Sequence, residues 1–407
     1  MSKPQRSVVV LGDLEPLPLS SVREAARAVG ATVLSHAGDA ASTLDGDPVA
    51  MLVPMLGTGG FERCEQVRSD RRFAAVPLIV IGDARNSLSF GELFQSGGDD
   101  IVAPGDAASL ARRLRAICTP ASPRAGDAAT RTGDEYAVVA GPASRWQTMV
   151  ARALSNAGVP THFVTTAAEA IAASVGAKAV VAAAGLEPSG AHVALAEARA
   201  AGSVTPWVIV AEPRRVPETV AAVQSLTRVA VVDSYAPPEN ALFVANELAT
   251  SAAADNRSAH RLLYGTSVGF RAAGREEDDD VGFTYNVSDN GLFVRTLAPL
   301  AAGDDVWLEL WAPRSSRRVR LAGKVAWRRH FGPDESATVP PGFGVHVTEG
   351  LAGDLERWRD GCALLQRDEA RLRPQLASKM RPTCTSPVLV RAANDMYATV
   401  RESGGPR

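Results

Sequence analysis

Five residues in the last part of the chain carry side chains suited to holding an anionic, hydrogen-bonding ligand. Arg257 and Arg261 stand at the two ends of Arg257-Ser-Ala-His-Arg261. A guanidinium is a planar fork of donors that pairs bidentately with phosphate oxygens or with the O6 and N7 edge of guanine. With this spacing in a flexible segment, both forks can close on one compact ligand. Asn286, Ser288 and Gly291 stand at fixed offsets in Asn286-Val-Ser-Asp-Asn-Gly291. The Asn286 amide oxygen can accept from a base N–H, and the Ser288 hydroxyl can donate to a phosphate or a base. Gly291 suits a tight turn of positive φ, or a point where backbone meets ligand. The same residues also make an ordinary turn, since Asn, Asp, Ser and Gly all favour turns. In that case both arginines are solvated linker residues.

The elements that must position them follow from the pattern after Thr250. Apolar residues alternate at period two in Leu308-Glu-Leu310, Val319-Arg-Leu321, Val325-Ala-Trp327 and Val345-His-Val347. Gly, Pro and Asp punctuate these runs, which predicts an antiparallel sheet or barrel with one wet face. The arginines precede a first strand, Leu263 to Phe270. The second segment lies between strands Gly282 to Tyr285 and Leu292 to Arg295. A helix is predicted over Leu351 to Leu365, and beyond Arg371 residual helix and otherwise disorder. The basic runs Arg314 to Arg320 and Lys324 to His330 read as a solvated strand face.

Together these pieces resemble the PilZ domain, a small β-barrel that binds the bacterial second messenger cyclic di-GMP. The RxxxR and NxSxxG segments carry the resemblance from about 257 to about 348. Gly323-Lys-Val-Ala-Trp327 and Gly342-Phe-Gly344-Val-His-Val347 look like that family's GxVxW and GxGVxF strands. The resemblance implies that Arg257 and Arg261 clamp cyclic di-GMP and that the face bearing Asn286, Ser288 and Gly291 receives a guanine. Two departures stand out. Asn286 occupies a place where Asp is commoner, which gives up a charge-assisted hydrogen bond. Arg257 follows Asp255-Asn256 rather than another arginine. Trp327 and Phe343 are expected in the core, and His260 facing solvent.

Ahead of this lie two stretches in which short apolar runs alternate with helical patterns. In the first, Ser7 to Leu11, Val49 to Val53, Leu78 to Ile81 and Ile101-Val102 are predicted strands. Ser20 to Val29, Glu62 to Val67 and Ala107 to Ile117 are predicted helices. The second repeats the order. Its strands are Tyr136 to Ala140, Ala179 to Ala183, Trp207 to Val210 and Val229 to Val232, and its helices Gln147 to Ala157 and Pro238 to Ala249. Such alternation implies parallel sheets covered on both faces.

The first stretch is similar to response-regulator receiver domains, through Gly59-Gly-Phe-Glu62 and Ser96-Gly-Gly-Asp-Asp100-Ile-Val-Ala-Pro104. That family's chemistry needs two acids after the first strand, an aspartate ending the third, a hydroxyl after the fourth and a lysine before a proline after the fifth. Here only Asp13 of the first pair remains. The other positions read Met51-Leu-Val-Pro54, Gly82 and Ala103. A hard cation needs several oxygen ligands, so the missing acids remove the site. Asp13 then caps a loop, and Asp99 and Asp100 sit in a turn. In the second stretch, Gly141-Pro142, Val180 to Gly185 and Ala236-Pro237 keep none of the five parts.

The 407 residues carry a net charge of −2, which offers no global field for nucleic acid or a membrane surface. The four cysteines, Cys64, Cys118, Cys362 and Cys384, form no CxxC and read as free thiols. No signal peptide or membrane span is evident, so a cytoplasmic protein is expected. The expected architecture is two flavodoxin-like, receiver-like parallel-sheet domains (1–118 and 135–250, joined by a linker at 119–134), then an antiparallel PilZ barrel (251–357) and a C-terminal helix and tail (358–407). The expected function is a non-enzymatic cyclic di-GMP receptor with no cofactor or metal. Its receiver-like domains would bind protein partners or form a homodimer, with no DNA bound. A nucleotide-independent interaction scaffold, and a phosphorylation-dependent regulator, are the alternatives.

Overall fold

The computed structural model describes residues 6–12, 19–36, 48–55, 60–73, 76–86, 92–94, 96–118, 136–156, 159–234, 238–250, 261–275, 279–332 and 340–377. Asp13, Arg257, His260, the 119–134 linker and Cys384 lie outside these residues.

The first module comprises β1 (Ser7–Leu11), α1 (Leu19–Arg27), β2 (Thr32–His36), β3 (Ala50–Pro54), α2 (Gly60–Ser69), β4 (Leu78–Ile81), β5 (Asp100–Val102) and α3 (Ala107–Cys118). Its strands are all parallel, in the order β2-β1-β3-β4-β5. The unbroken apolar runs Val8-Val-Val10 and Leu78-Ile-Val-Ile81 are buried on both faces, as a helix-covered parallel sheet requires.

The second module repeats the plan with β6 (Ala137–Ala140), α4 (Arg145–Asn156), β7 (Thr161–Val164), α5 (Ala167–Ser174), β8 (Ala179–Ala183), α6 (Ala191–Ala200), β9 (Trp207–Ala211), α7 (Val216–Val223), β10 (Val229–Asp233) and α8 (Pro238–Thr250). Its strand order, β7-β6-β8-β9-β10, is that of the first module. In both, the second strand, β2 or β7, lies at a sheet edge and was not predicted. β7 leaves Phe163 exposed and is flanked by polar residues, so it lacks the signature of a buried strand.

The third sheet contains β11 (Leu262–Leu263), β12 (Ser267–Ala272), β13 (Asp280–Ser288), β14 (Gly291–Arg295), β15 (Asp305–Trp311), β16 (Arg318–Arg329) and β17 (Gly342–Gly350), followed by α9 (Asp354–Ala377). Six strands close into an antiparallel barrel in the order β13-β12-β15-β16-β17-β14, with β14 pairing back to β13 and β11 added beside β13. The expected single strand Leu263 to Phe270 is split into β11 and β12. At the break, Thr284 Oγ1 donates to the Tyr264 carbonyl at 2.7 Å and accepts from the Thr266 amide at 2.8 Å, so a side chain takes up backbone groups there while the Thr284 amide still donates to the Thr266 carbonyl at 2.9 Å. Conversely, the runs at Val319 and Val325 are one continuous strand, β16. Along it Arg318, Arg320 and Lys324 are exposed as expected, but Arg329 is buried.

The three sheets share cores. Phe243 of α8 meets Tyr285 of β13 edge-on, with centroids 5.9 Å apart, and the apolar interior of the second module continues through this contact into the barrel. Phe94 of the first module meets Phe283 of β13 edge-on at 5.4 Å and lies under the Arg295 guanidinium, 3.4 Å from the ring centroid. Leu297 completes a second apolar cluster of the first module. The last helix of each α/β module, α3 or α8, therefore packs on the barrel.

Candidate functional site

The hairpin β13–β14 carries the NxSxxG segment at its tip. Ser288 pairs with Gly291 across a two-residue turn, and the amide of Val347 on β17 donates to the Asn290 carbonyl at 2.9 Å. Between Thr284 and Asn286 the register with β14 slips, a bulge centred on Tyr285. Such an extra residue re-aims its neighbours. Here Tyr285 reaches Phe243 in the second module, while Val287 stays in the core.

Within the barrel, a close approach of backbone accounts for Gly291. Its φ is not positive; instead a Cβ there would lie 2.5 Å from the Val345 carbonyl oxygen, so the close approach of β14 to β17 excludes any side chain.

The register of β11 brings Arg261, the last residue of the first motif, to the second. Leu262 pairs with Val287 and Leu263 with Asn286 in antiparallel sense, so Arg261, the preceding residue, falls opposite Ser288. Asn286 is 5% exposed, so a ligand reaching its amide must gain access to it. Among the described residues no side-chain hydrogen bond reaches that amide. Ser288 is half-buried, and its hydroxyl donates to the Gly291 carbonyl at 3.3 Å. Its own carbonyl accepts from the Trp358 indole Nε1 at 3.2 Å and from the Cys362 thiol at 3.6 Å. Burial pushes that thiol's pKa up, which keeps it a neutral donor. Phe343 is fully buried and Trp327 packs against the core.

The acids of the first module have a different task from the one expected. Asp99 and Asp100 do not sit in an open turn but are both buried, each holding a neighbouring module. Asp99 takes Arg68 at 3.0 Å, the Leu78 amide at 2.8 Å and, from the second module, Arg152 at 2.6 Å. Asp100 takes Arg113 at 2.8 Å and, from the barrel, the Leu297 amide at 2.8 Å and the Thr296 hydroxyl at 3.1 Å. Asp280, which opens β13, accepts from Ser109 at 2.8 Å, Arg112 at 3.0 Å and Arg113 at 2.7 Å. A buried charge survives only when paired and hydrogen-bonded, and these acids meet that condition across module boundaries. A sequence signal for this existed: Arg113 lies directly beside the apolar positions Leu110 and Leu114 of α3, and a cation there requires an acid from elsewhere.

The first module's third strand, β3, is wholly buried and offers no carboxylate. Among the described residues, no group of three or more His, Cys, Asp or Glu side chains could hold a metal ion. Among them too, no helix is long and apolar enough to cross a membrane.

Residues 255–359 match the family model of the PilZ domain, and the chain carries that domain behind its two parallel-sheet modules. No curated protein matches the chain. Similar solved structures include the Bacillus subtilis inhibitor of motility MotI/DgrA, at 19% identity over 28% of this chain and 53% of that one, with a TM-score of 0.23. The Thermotoga maritima response regulator DrrB matches at 16% identity over 27% of this chain and 51% of its own, with a TM-score of 0.22. Full-length ShkA matches at 16% over 56% of this chain and 48% of its own, with a TM-score of 0.21. The chain thus spans about half the length of each, and likenesses this partial establish no shared function.

Proposed function

We propose that the protein is a non-enzymatic receptor for cyclic di-GMP, with Arg257, Arg261, Asn286, Ser288 and Gly291 forming the site. What supports this reading is the register of β11, Leu262 on Val287 and Leu263 on Asn286, which extended by one residue sets Arg261 opposite Ser288. Arg261 of the first motif directly precedes β11, the neighbour of the strand that carries Asn286 and Ser288, and the chemistry of the two motifs is complementary to a ligand of two phosphates and two guanines. The arginines would grip phosphate and the guanine edge, Asn286 would accept from a base N–H, and Ser288 would donate. Binding would order the segment between α8 and β11. That segment joins the second module to the barrel, so its ordering would brace the Phe243–Tyr285 contact and change which outer surfaces of the α/β modules a protein partner can use.

Calorimetry on the full chain with cyclic di-GMP tests this. Heat with the wild type, lost in the Arg257→Ala plus Arg261→Ala double variant, is the expected result. No heat with the wild type overturns the reading, and equal binding by the double variant overturns the site.

A second reading, an interaction scaffold that binds no nucleotide, is favoured by the burial of Asn286. It expects no heat in the same titration.

A further inference from the structure

One carbonyl in the candidate site has two donors from outside the barrel. The Ser288 oxygen accepts from Trp358 Nε1 at 3.2 Å and from Cys362 Sγ at 3.6 Å, and both side chains are fully buried. A carbonyl oxygen can accept more than one hydrogen bond, and here a single helix supplies two donors to it. Their i, i+4 spacing on α9 puts both on one face.

The helix itself is anchored at two further points. At its start, Asp354 accepts from the Arg320 amide at 2.8 Å. In its second turn Gly361, without a side chain, lies against the Pro313 carbonyl between β15 and β16, where a Cβ would not fit. Leu365 continues the buried stripe one turn on. α9 therefore has little freedom to slide, and whatever it holds is held in place.

We propose that Trp358 and Cys362 are positioning residues for the ligand turn. They fix the Ser288 peptide plane and, through it, the direction of the Ser288 hydroxyl and the setting of the turn to Gly291. They touch no ligand themselves; they act through Ser288. This rests on the receptor reading above, and it adds α9 to the site. Neither residue belongs to the two motifs. What marks them is their shared acceptor, the backbone oxygen of the motif serine.

The test compares variants that differ in the donor while keeping the plug. Trp358→Phe keeps an aromatic ring but removes the indole N–H. Cys362→Ala removes the thiol, and Cys362→Ser restores a donor. Cyclic di-GMP affinity of the full chain is read by calorimetry beside the melting temperature of each variant without ligand. A hydrogen bond of this kind contributes on the order of 1 kcal/mol, so roughly fivefold to tenfold weaker binding is expected for Trp358→Phe. A smaller loss is expected for Cys362→Ala, with recovery in Cys362→Ser. A merely structural role would lower the melting temperature and leave the affinity of the folded protein unchanged. Wild-type binding with equal affinity in all three variants overturns the proposal and leaves the receptor reading intact. Absence of wild-type binding overturns both. Should Trp358→Phe fail to fold, the Cys362 pair decides alone: affinity lost in Ala and kept in Ser supports the proposal, and equal affinity overturns it.

Discussion

Arg113 Nη1 donates to Asp280 Oδ1 at 2.7 Å, from the last helix of the first module to the opening residue of β13. Neither side chain sees appreciable solvent, and the same guanidinium also holds Asp100 and the Val281 carbonyl. Removing the cation would leave buried Asp100 without a counter-ion and Asp280 with Arg112 alone. Arg113→Ala should therefore cost about 3–5 kcal/mol of unfolding free energy, the range for breaking a buried pair by deleting one partner. Urea titration checks this. A loss below about 1 kcal/mol, the size of an exposed pair, would mean the joint is solvated.

The same network sets an acid limit. Burial works against the charge of Asp99, but Arg152 and Arg68 prevail and hold its pKa below the usual 3.8; Arg113 and Arg112 do the same for Asp280. With folded values below unfolded ones, the unfolded chain binds more protons in acid. The stabilisation is complete at neutral pH and is lost as pH falls from about 4 downward. Asp100 has the opposite sign. Burial outweighs Arg113 and raises its value, so Asp100 costs stability at neutral pH, and that cost vanishes as pH falls through the raised pKa. The urea midpoint should hold level or rise slightly from about pH 7 to about pH 5 and drop only below about pH 4. A steady fall beginning at neutral pH would contradict the assignment.

Asn286→Asp separates ligand affinity from stability. A carboxylate accepting from a guanine N–H makes a charge-assisted bond, roughly twice as strong as a neutral one, so cyclic di-GMP should bind roughly fivefold tighter. Position 286 is nearly buried, so without ligand the new charge is poorly solvated and the melting temperature should fall. Calorimetry and thermal melts on one preparation would show the opposed shifts. Weaker binding in the Asp variant would argue against Asn286 as an acceptor.

Gly291→Ala should destabilise the barrel by about 1–3 kcal/mol, the usual cost of forcing atoms into a packed site, because its Cβ would meet the Val345 carbonyl. A thermal melt of the variant measures it. A neutral result would mean that β14 and β17 can separate at little cost.

The α/β modules are legible in the sequence because buried parallel strands are plain apolar runs, as at Val8 to Val10 and Val229 to Val232. The edge strands β2 and β7 are not, since none of their residues of described burial is fully buried. In the candidate site, Asn286, Ser288 and Gly291 are legible by spacing, and Arg261 by its distance from Arg257. Trp358 and Cys362 are not, because they act on a backbone oxygen that no motif describes. The polar joints are hidden for a related reason. Arg113 and Asp280 lie 167 positions apart, and nothing local to either names the other.

The packing of β13 also changes what counts as a part of this protein. Phe283 rests on one α/β module, Tyr285 on the other, and Asp280 has its counter-ions in a third place along the chain. A barrel excised at its sequence boundaries would emerge with two bare aromatic rings and an orphan carboxylate, a surface prone to self-association. Three folds succeed one another along the chain, but they should melt in a single transition. Truncation would make a different molecule, and fragments meant to isolate one domain would report on the cut.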